Sequence, residues 1–185
     1  MIADIMKETE DRMAKTVQSL EDDLKGVRTG RASPALVERV LVTYYGAATP
    51  LIQLAVISAP EPQLLLIRPY DPSSITAIEK GILQADLGLN PSSDGRVVRI
   101  PIPRLTEERR REMVKMVKRR VEEGKVALRN IRRDTLEAMR EYEDEKLISE
   151  DDLKRGQEDL QKLIDGFIQK IDEVGARKEQ DIMEI

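Results

Sequence analysis

The sequence predicts an α+β protein in which an elongated antiparallel three-helix bundle carries an inserted small α/β domain. All nine prolines lie between Pro34 and Pro103, with none in the 33 residues before or the 82 after. Proline inside a helix removes a backbone donor and costs about 3 kcal/mol, so long helices exclude it. In both proline-free flanks apolar residues recur every seven positions, the spacing of a helical seam. The middle carries short β-branched runs broken by Pro and Gly instead. The expected division is a bundle built from residues 1–30 and 105–185, with the α/β domain over residues 31–104. The chain then crosses between the two parts twice, at a hinge formed by Gly30, Arg31, Pro103, Arg104 and Leu105.

In the first flank Met6, Met13, Leu20 and Val27 lie one heptad apart, with Val17 and Leu24 on the same side. They predict one helix with a core-facing stripe, ending near Gly30. In the middle, residues 37–45 read as a strand before a turn at Gly46. Residues 54–58, 64–68 and 97–100 read as further short strands. Asp71-Pro72 is a helix-start signal, continued by Ile75, Ile78, Glu79 and Ile82 to about Leu87, where Gly88 to Pro91 close it.

In the third segment Met113, Val117, Val121, Gly124, Leu128, Ile131, Thr135, Ala138 and Tyr142 step by three or four. Thr106 reads as the N-cap, and Glu107 and Glu108 suit the positive helix end. A helix from Glu107 to Leu147 would be about 60 Å long at 1.5 Å per residue. Ser149-Glu150-Asp151-Asp152 restarts a helix with a capping-box pattern. Its seam is Leu153, Leu160, Phe167 and Val174, joined by Ile164 and Ile171.

Composition narrows the chemistry. With no cysteine and no histidine, disulfides, thiolate nucleophiles, imidazole bases and the usual zinc sites are excluded. The first twelve residues are acidic at Asp4 and Glu8 and lack an apolar run, so they read as neither signal nor transit peptide. No stretch approaches the roughly 18 apolar residues of a membrane span, and a cytoplasmic protein is expected. Adjacent carboxylates such as Asp22/Asp23, Glu122/Glu123 and Asp151/Asp152 point to different helix sectors, which disfavours acid–base catalysis. Gly26-Val27-Arg28-Thr29-Gly30-Arg31-Ala32-Ser33 fails as a phosphate loop. Its glycines are one residue too close, Arg31 replaces the lysine, and a helix precedes it.

Charge is the informative quantity. The net charge is −4, yet residues 109–133 carry 11 basic and 3 acidic groups, while residues 134–185 carry 8 and 17. Screening confines surface fields to about 8–10 Å, so this asymmetry matters more than the total. With Leu128, Ile131 and Thr135 facing the core, Arg129, Arg132 and Arg133 spread over the outward arc. Lys115, Lys118, Arg119 and Lys125 precede them on the same helix. On charge alone this stripe fits, in order, a solvated face paired with acids of the last helix, a nucleic-acid backbone, and an anionic membrane. Phe167 is a seam residue, and Tyr44, Tyr45, Tyr70 and Tyr142 form no RNA-recognition motif. RNA contact would therefore read backbone and shape.

Five motifs in order carry a resemblance. They are Val27-Arg28-Thr29-Gly30-Arg31-Ala32-Ser33-Pro34, Ile78-Glu79-Lys80, Asp86-Leu87-Gly88-Leu89-Asn90-Pro91, Leu105-Thr106-Glu107-Glu108-Arg109 and Lys125-Val126-Ala127-Leu128-Arg129-Asn130-Ile131-Arg132-Arg133-Asp134. Together they resemble the bacterial ribosome recycling factors, over the whole chain to Lys178-Glu179 and Ile182-Met183. The resemblance implies an L-shaped monomer about the size of a transfer RNA, without catalytic residues, cofactor or metal. It implies binding to the post-termination ribosome, with the bundle across the transfer-RNA sites of the large subunit. Elongation factor G, hydrolysing GTP, would then drive subunit separation and release of messenger and deacylated transfer RNA. The residues expected on large-subunit RNA are Arg129, Arg132 and Arg133, with Lys125 in the same run and Arg28 and Arg31 at the junction. The rival class is a protein-interaction module such as a helical co-chaperone, whose apolar interface would lack the steep salt dependence of RNA binding.

Overall fold

The computed structural model describes residues 1–27 and 29–184. In chain order the elements are α1 (Ile2–Lys25), β1 (Leu41–Tyr44), β2 (Ala47–Pro50), β3 (Ala55–Glu61), β4 (Leu64–Pro69), α2 (Ile75–Gln84), β5 (Ser92–Ser93), β6 (Val98–Pro101), α3 (Glu107–Asp144) and α4 (Glu150–Met183). The chain divides into two compact units, one of Met1–Leu24 with Arg111–Glu184 and one of Lys25–Arg110. Both boundaries fall six residues further into the helical flanks than the expected 30/31 and 104/105.

The helical unit contains α1, α3 and α4. Arg12 pairs with Asp134 at 3.2 Å and Asp23 with Arg120 at 3.2 Å, so α1 and α3 run antiparallel. Lys125 pairs with Asp172, and Gly156 of α4 lies against Met139 of α3, so α3 and α4 are antiparallel as well. Glycines set the helix spacing at two levels. A Cβ at Gly124 would sit 3.2 Å from Ile171 Cδ1, and one at Gly175 would sit 2.5 Å from Val121 Cγ2. The second distance is inside van der Waals contact, so only glycine lets α4 approach Val121 this closely.

The buried stripe of α3 is Met113, Val117, Leu128, Ile131, Thr135 and Met139. The expected Ala138 is only half-buried, because the stripe takes a four-residue step from Thr135 to the fully buried Met139. On α4, Leu160, Ile164, Phe167, Ile171 and Val174 are buried, whereas Leu153 near the helix start is not. Thr106 Oγ1 accepts from the Arg109 N–H at 3.2 Å and caps α3. Ser149 and Asp152 complete the capping box: Asp152 N–H donates to Ser149 Oγ, and Ser149 N–H donates to Asp152 Oδ2, both at 3.1 Å. The Ser149 hydroxyl and then its N–H hold the Asp152 carboxyl below its ordinary range.

The α/β unit holds an antiparallel four-stranded sheet, order β3-β4-β6-β5, and a separate β1-β2 hairpin. One core joins them: Val42 of β1, Leu65 and Ile67 of β4, Val98 and Ile100 of β6, and Ile75, Ile78 and Ile82 of α2. Helix α2 lies close on β1, since a Cβ at Gly81 would come within 3.0 Å of the Leu41 carbonyl oxygen.

Four expectations are corrected here. Helix α1 stops at Lys25, short of Gly30, so Val27 is buried outside the helix. The strand expected over residues 37–45 shrinks to Leu41–Tyr44 because Ser33-Pro34 opens a 3-10 turn at Pro34–Leu36. Val37 and Val40 enter the core from these turns, so burial outweighs their β-propensity. Strand β3 runs through Pro60 with a register shift between Ser58 and Glu61, tolerated because β3 is an edge strand. Helix α2 ends at Gln84, three residues before Leu87, and Asp86 turns the chain at φ +52°.

The β3–β4 tip also holds both ends of the unit. The Ala32 N–H donates to the Pro62 carbonyl at 2.6 Å, and the Ile102 N–H donates to the Gln63 carbonyl at 2.8 Å. Gly30, at φ +79°, lies beside Leu105: a Cβ on it would be 3.7 Å from the Leu105 nitrogen.

Candidate nucleic-acid interface

Helix α3 spans 38 residues, about 57 Å at 1.5 Å per residue. Its apolar stripe faces α1 and α4, which leaves the opposite arc to solvent. Arg132 and Arg133 stand on this arc, exposed and without an ion pair among the described residues. Two unpaired guanidiniums held on one rigid helix are free to make charge-assisted, bidentate bonds to phosphate oxygens.

The other two cations of the run are engaged within the protein. Lys125 Nζ lies 2.6 Å from Asp172 Oδ1 of α4, and its side chain is only 20% exposed. Arg129 Nη1 lies 3.1 Å from Glu122 Oε1 of its own helix, with its side chain 53% exposed. Pairing with acids of the last helix therefore describes Lys125 and leaves the arginines outside it. Engagement of Arg129 with an external anion would exchange a solvated partner on the same helix, a small cost for an exposed pair.

The arc extends in both directions. Lys115 and Lys118 are exposed and unpaired among the described residues, whereas Arg119 faces Glu123 at 4.0 Å. Arg140, one heptad beyond Arg133, is likewise exposed and unpaired. Sequence reasoning missed it, although the seven-residue step from Arg133 would have found it. Lys115 to Arg140 spans about 38 Å along the helix axis. On the neighbouring side of α3, Asp134 is taken up by Arg12 and does not oppose the arc.

Of the residues expected at the crossings, Arg31, Pro103 and Arg104 are exposed, and Leu105 is half-buried beside Gly30. Arg28 lies outside the described residues. Arg31 belongs to the α/β unit, whereas Lys125, Arg129, Arg132 and Arg133 belong to the helical unit. None of the described helices is long and apolar enough to cross a membrane.

Known proteins resemble this chain over its whole length. The sequence pattern of the family described as ribosome recycling factor matches residues 20–183. The "Ribosome-recycling factor" of Heliobacterium modesticaldum is 56% identical over 185 residues, covering the whole of both chains. That of Roseiflexus sp. is 53% identical over the same full length. A solution structure of a ribosome recycling factor superposes with a TM-score of 0.80 at 43% identity, covering 100% of this chain and 98% of its own. A second structure, of the T. thermophilus ribosome recycling factor and the E. coli elongation factor G bound to the E. coli post-termination complex, gives a TM-score of 0.70 at 44% identity with both chains fully covered.

Proposed function

The chain belongs to the ribosome recycling factor family, and from that premise we propose how it works. It binds the post-termination ribosome, grips large-subunit RNA through the basic arc of α3, and acts with elongation factor G and GTP. The outcome is separation of the subunits and release of messenger and deacylated transfer RNA. The observation that carries the RNA contact is the pair Arg132 and Arg133, exposed on the helix and unpaired among the described residues. Arg129 joins them by leaving Glu122, and Lys125 positions the helix through Asp172. Arg28 and Arg31 contribute phosphate contacts from the junction.

The protein is no enzyme in this reading, and it works as a monomer in the cytoplasm. The free energy for splitting comes from binding and from the partner's hydrolysis. A binding protein shifts an equilibrium only by its differential affinity for the two states. The bundle of residues 1–30 and 105–185 supplies the RNA grip, and the domain of residues 31–104 transmits the push. Gly30, Arg31, Pro103, Arg104 and Leu105 form the hinge, where two parallel connections allow swivelling as a pair.

Ribosome co-sedimentation across a salt series, with and without elongation factor G and GTP, tests the reading. Binding should weaken log-linearly with salt. Reversing charge at Arg129 and Arg132 should weaken it at every salt concentration. Binding that ignores both salt and charge reversal would overturn the RNA role.

A further inference from the structure

The sequence contains two Asp-Gly pairs, Asp94-Gly95 and Asp165-Gly166. Aspartate before glycine is prone to self-modification, because no Cβ shields the glycine nitrogen from the neighbouring carboxyl. The nitrogen attacks the aspartate Cγ; a C–N bond forms, and the Cγ–OH bond breaks as water leaves with the amide proton. Water then opens the succinimide ring at the former main-chain carbonyl, and the chain continues through the side chain as isoaspartate. The water lost in the first step is regained in the second, so no other reactant is needed. The fold gives the two pairs opposite surroundings.

Asp165-Gly166 lies inside α4, between the buried Ile164 and Phe167. The Gly166 nitrogen sits in the ladder of i→i−4 bonds, where it cannot turn towards the carboxyl. The Asp165 Oδ1 accepts from Gln161 Nε2 at 2.9 Å, one turn back along the helix. Reaction there requires unwinding the middle of a 34-residue helix whose seam is part of the bundle core.

Asp94-Gly95 lies where β5 turns into β6, and both residues are exposed. Gly95 has φ +88°, and a Cβ on it would meet nothing within 4 Å. The Asp94 side chain holds this turn: Oδ1 accepts from the Arg96 and Val97 N–H groups, each at 3.0 Å, and Oδ2 lies 3.6 Å from Arg99 Nη2. The N–H groups of Val97 and Arg96 keep the carboxyl below its ordinary range, and an ionised carboxylate is a poor target for the nitrogen. That protection is local. Strand β5 is two serines paired to Val98 and Arg99 at the sheet edge, and the Asp94 N–H reaches the Val97 carbonyl at a long 3.3 Å. Short edge elements with exposed backbone bonds open without global unfolding. Opening returns the carboxyl to water and to its ordinary titration, and lets the Gly95 backbone turn.

We propose that Asp94-Gly95 is a self-modification site of the folded chain, forming isoaspartate through local opening of the β5–β6 turn, while α4 protects Asp165-Gly166. The product keeps the mass and the negative charge but gains one methylene in its main chain. Its carboxylate is displaced from the Arg96 and Val97 N–H groups, so β5 loses the turn that pairs it with β6. The partner this chemistry fits is an enzyme that methylates isoaspartyl carboxylates. The proposal stands independently of the recycling function.

The test holds the full chain at neutral pH, well below its melting temperature, and in parallel in denaturing urea. Isoaspartate is labelled with an isoaspartyl carboxyl methyltransferase and S-adenosylmethionine, then assigned to each site by peptide mapping. In the native chain, isoaspartate at Asp94 should exceed that at Asp165 by about tenfold or more. In urea the two sites should agree within about twofold, since both precede glycine and neither keeps its surroundings. Asp94→Glu, which would have to close a less favoured six-membered ring, should remove methyl acceptance from the native chain. Equal accumulation at both native sites would assign the reaction to global unfolding and overturn the proposal. An unmodified Asp94 in native protein, while the denatured chain converts, would show that the turn stays shut and overturn it as well. A preference for Asp94 that persists in urea would place the cause in the neighbouring sequence, with the same result. Methyl acceptance that survives Asp94→Glu would move the site elsewhere and refute the assignment.

Discussion

The Thr9 and Thr135 hydroxyl oxygens lie 2.7 Å apart and buried, joining α1 to α3 inside an otherwise apolar seam. Each also sits near a carbonyl of its own helix: Thr9 Oγ1 is 2.7 Å from the Ile5 oxygen, and Thr135 Oγ1 is 3.0 Å from the Ile131 oxygen. Two hydroxyl protons serve three contacts, so one threonine donates across the seam and the other to its own turn. Either hydroxyl keeps a partner if the other is lost. Thr9→Val and Thr135→Val should each cost about 1 kcal/mol, below the penalty of a stranded buried hydroxyl. The double variant should cost little more than either single one, and denaturant midpoints in a double-mutant cycle will show it.

The glycines of α4 make opposite predictions. Gly166→Ala meets nothing within 4 Å and should stabilise by up to about 1 kcal/mol through helix propensity. Gly175→Ala would drive a methyl into Val121, a β-branched side chain with little room to turn, and should destabilise by about 1–3 kcal/mol. Adding Val121→Ala should recover part of that loss in thermal unfolding.

The capping box predicts a pH response. The Asp152 carboxyl is held below its ordinary value by the Ser149 hydroxyl and N–H, so the folded state resists its protonation. A depressed carboxylate contributes stability that is present above its unfolded value, about 3.9, and is lost as pH falls through the folded value. Asp71 and Asp94 are depressed as well, the first chiefly by the Ser73 hydroxyl and the second by the backbone N–H groups of Val97 and Arg96. Melting temperature should therefore drop progressively below about pH 4. In Ser149→Ala this acid slope should be shallower, measured against the parent by calorimetry.

Salt dependence separates the four cations of the α3 run. Removing Arg132 or Arg133, which have no partner among the described residues, should lower the salt slope of ribosome binding by about one each. Lys125→Met should change the slope far less, because Nζ is committed to Asp172. Arg129→Ala should fall between them, since its Glu122 partner is exposed. Co-sedimentation at four or five salt concentrations ranks them.

The long helices were the most legible part of the chain. Thr106 and Ser149 announce two helix starts through chemistry local to one turn, and both caps form as written. Seams were read to within a residue, because a 3.6-residue period leaves the choice between three- and four-residue steps to packing. Met139 displaced Ala138 for that reason. In the α/β unit, β2 has the unpromising sequence Ala-Ala-Thr-Pro and exists through its register with β1. β5 is two serines paired to β6, again with no propensity to advertise it. The arginine arc was visible as spacing, but the pairs Lys125–Asp172 and Arg129–Glu122 depend on rotamers and neighbouring helices. Tyr45 was legible only as an aromatic; its φ of +49° at the β1–β2 turn is a backbone angle that no composition reveals.

The ends of the inserted unit meet where Gly30 lies against Leu105 and where the Pro62–Gln63 tip holds Ala32 and Ile102. In the unfolded chain, bringing α1 to α3 means closing a loop of about eighty residues, 26–106. Once the insert has folded, the helices are separated by little more than a short turn. Closure entropy grows as (3/2)RT ln n, so this shortening relieves the bundle of about 2 kcal/mol. An insert that folds before the bundle would thus act as a staple, turning a distant helix pairing into a local one.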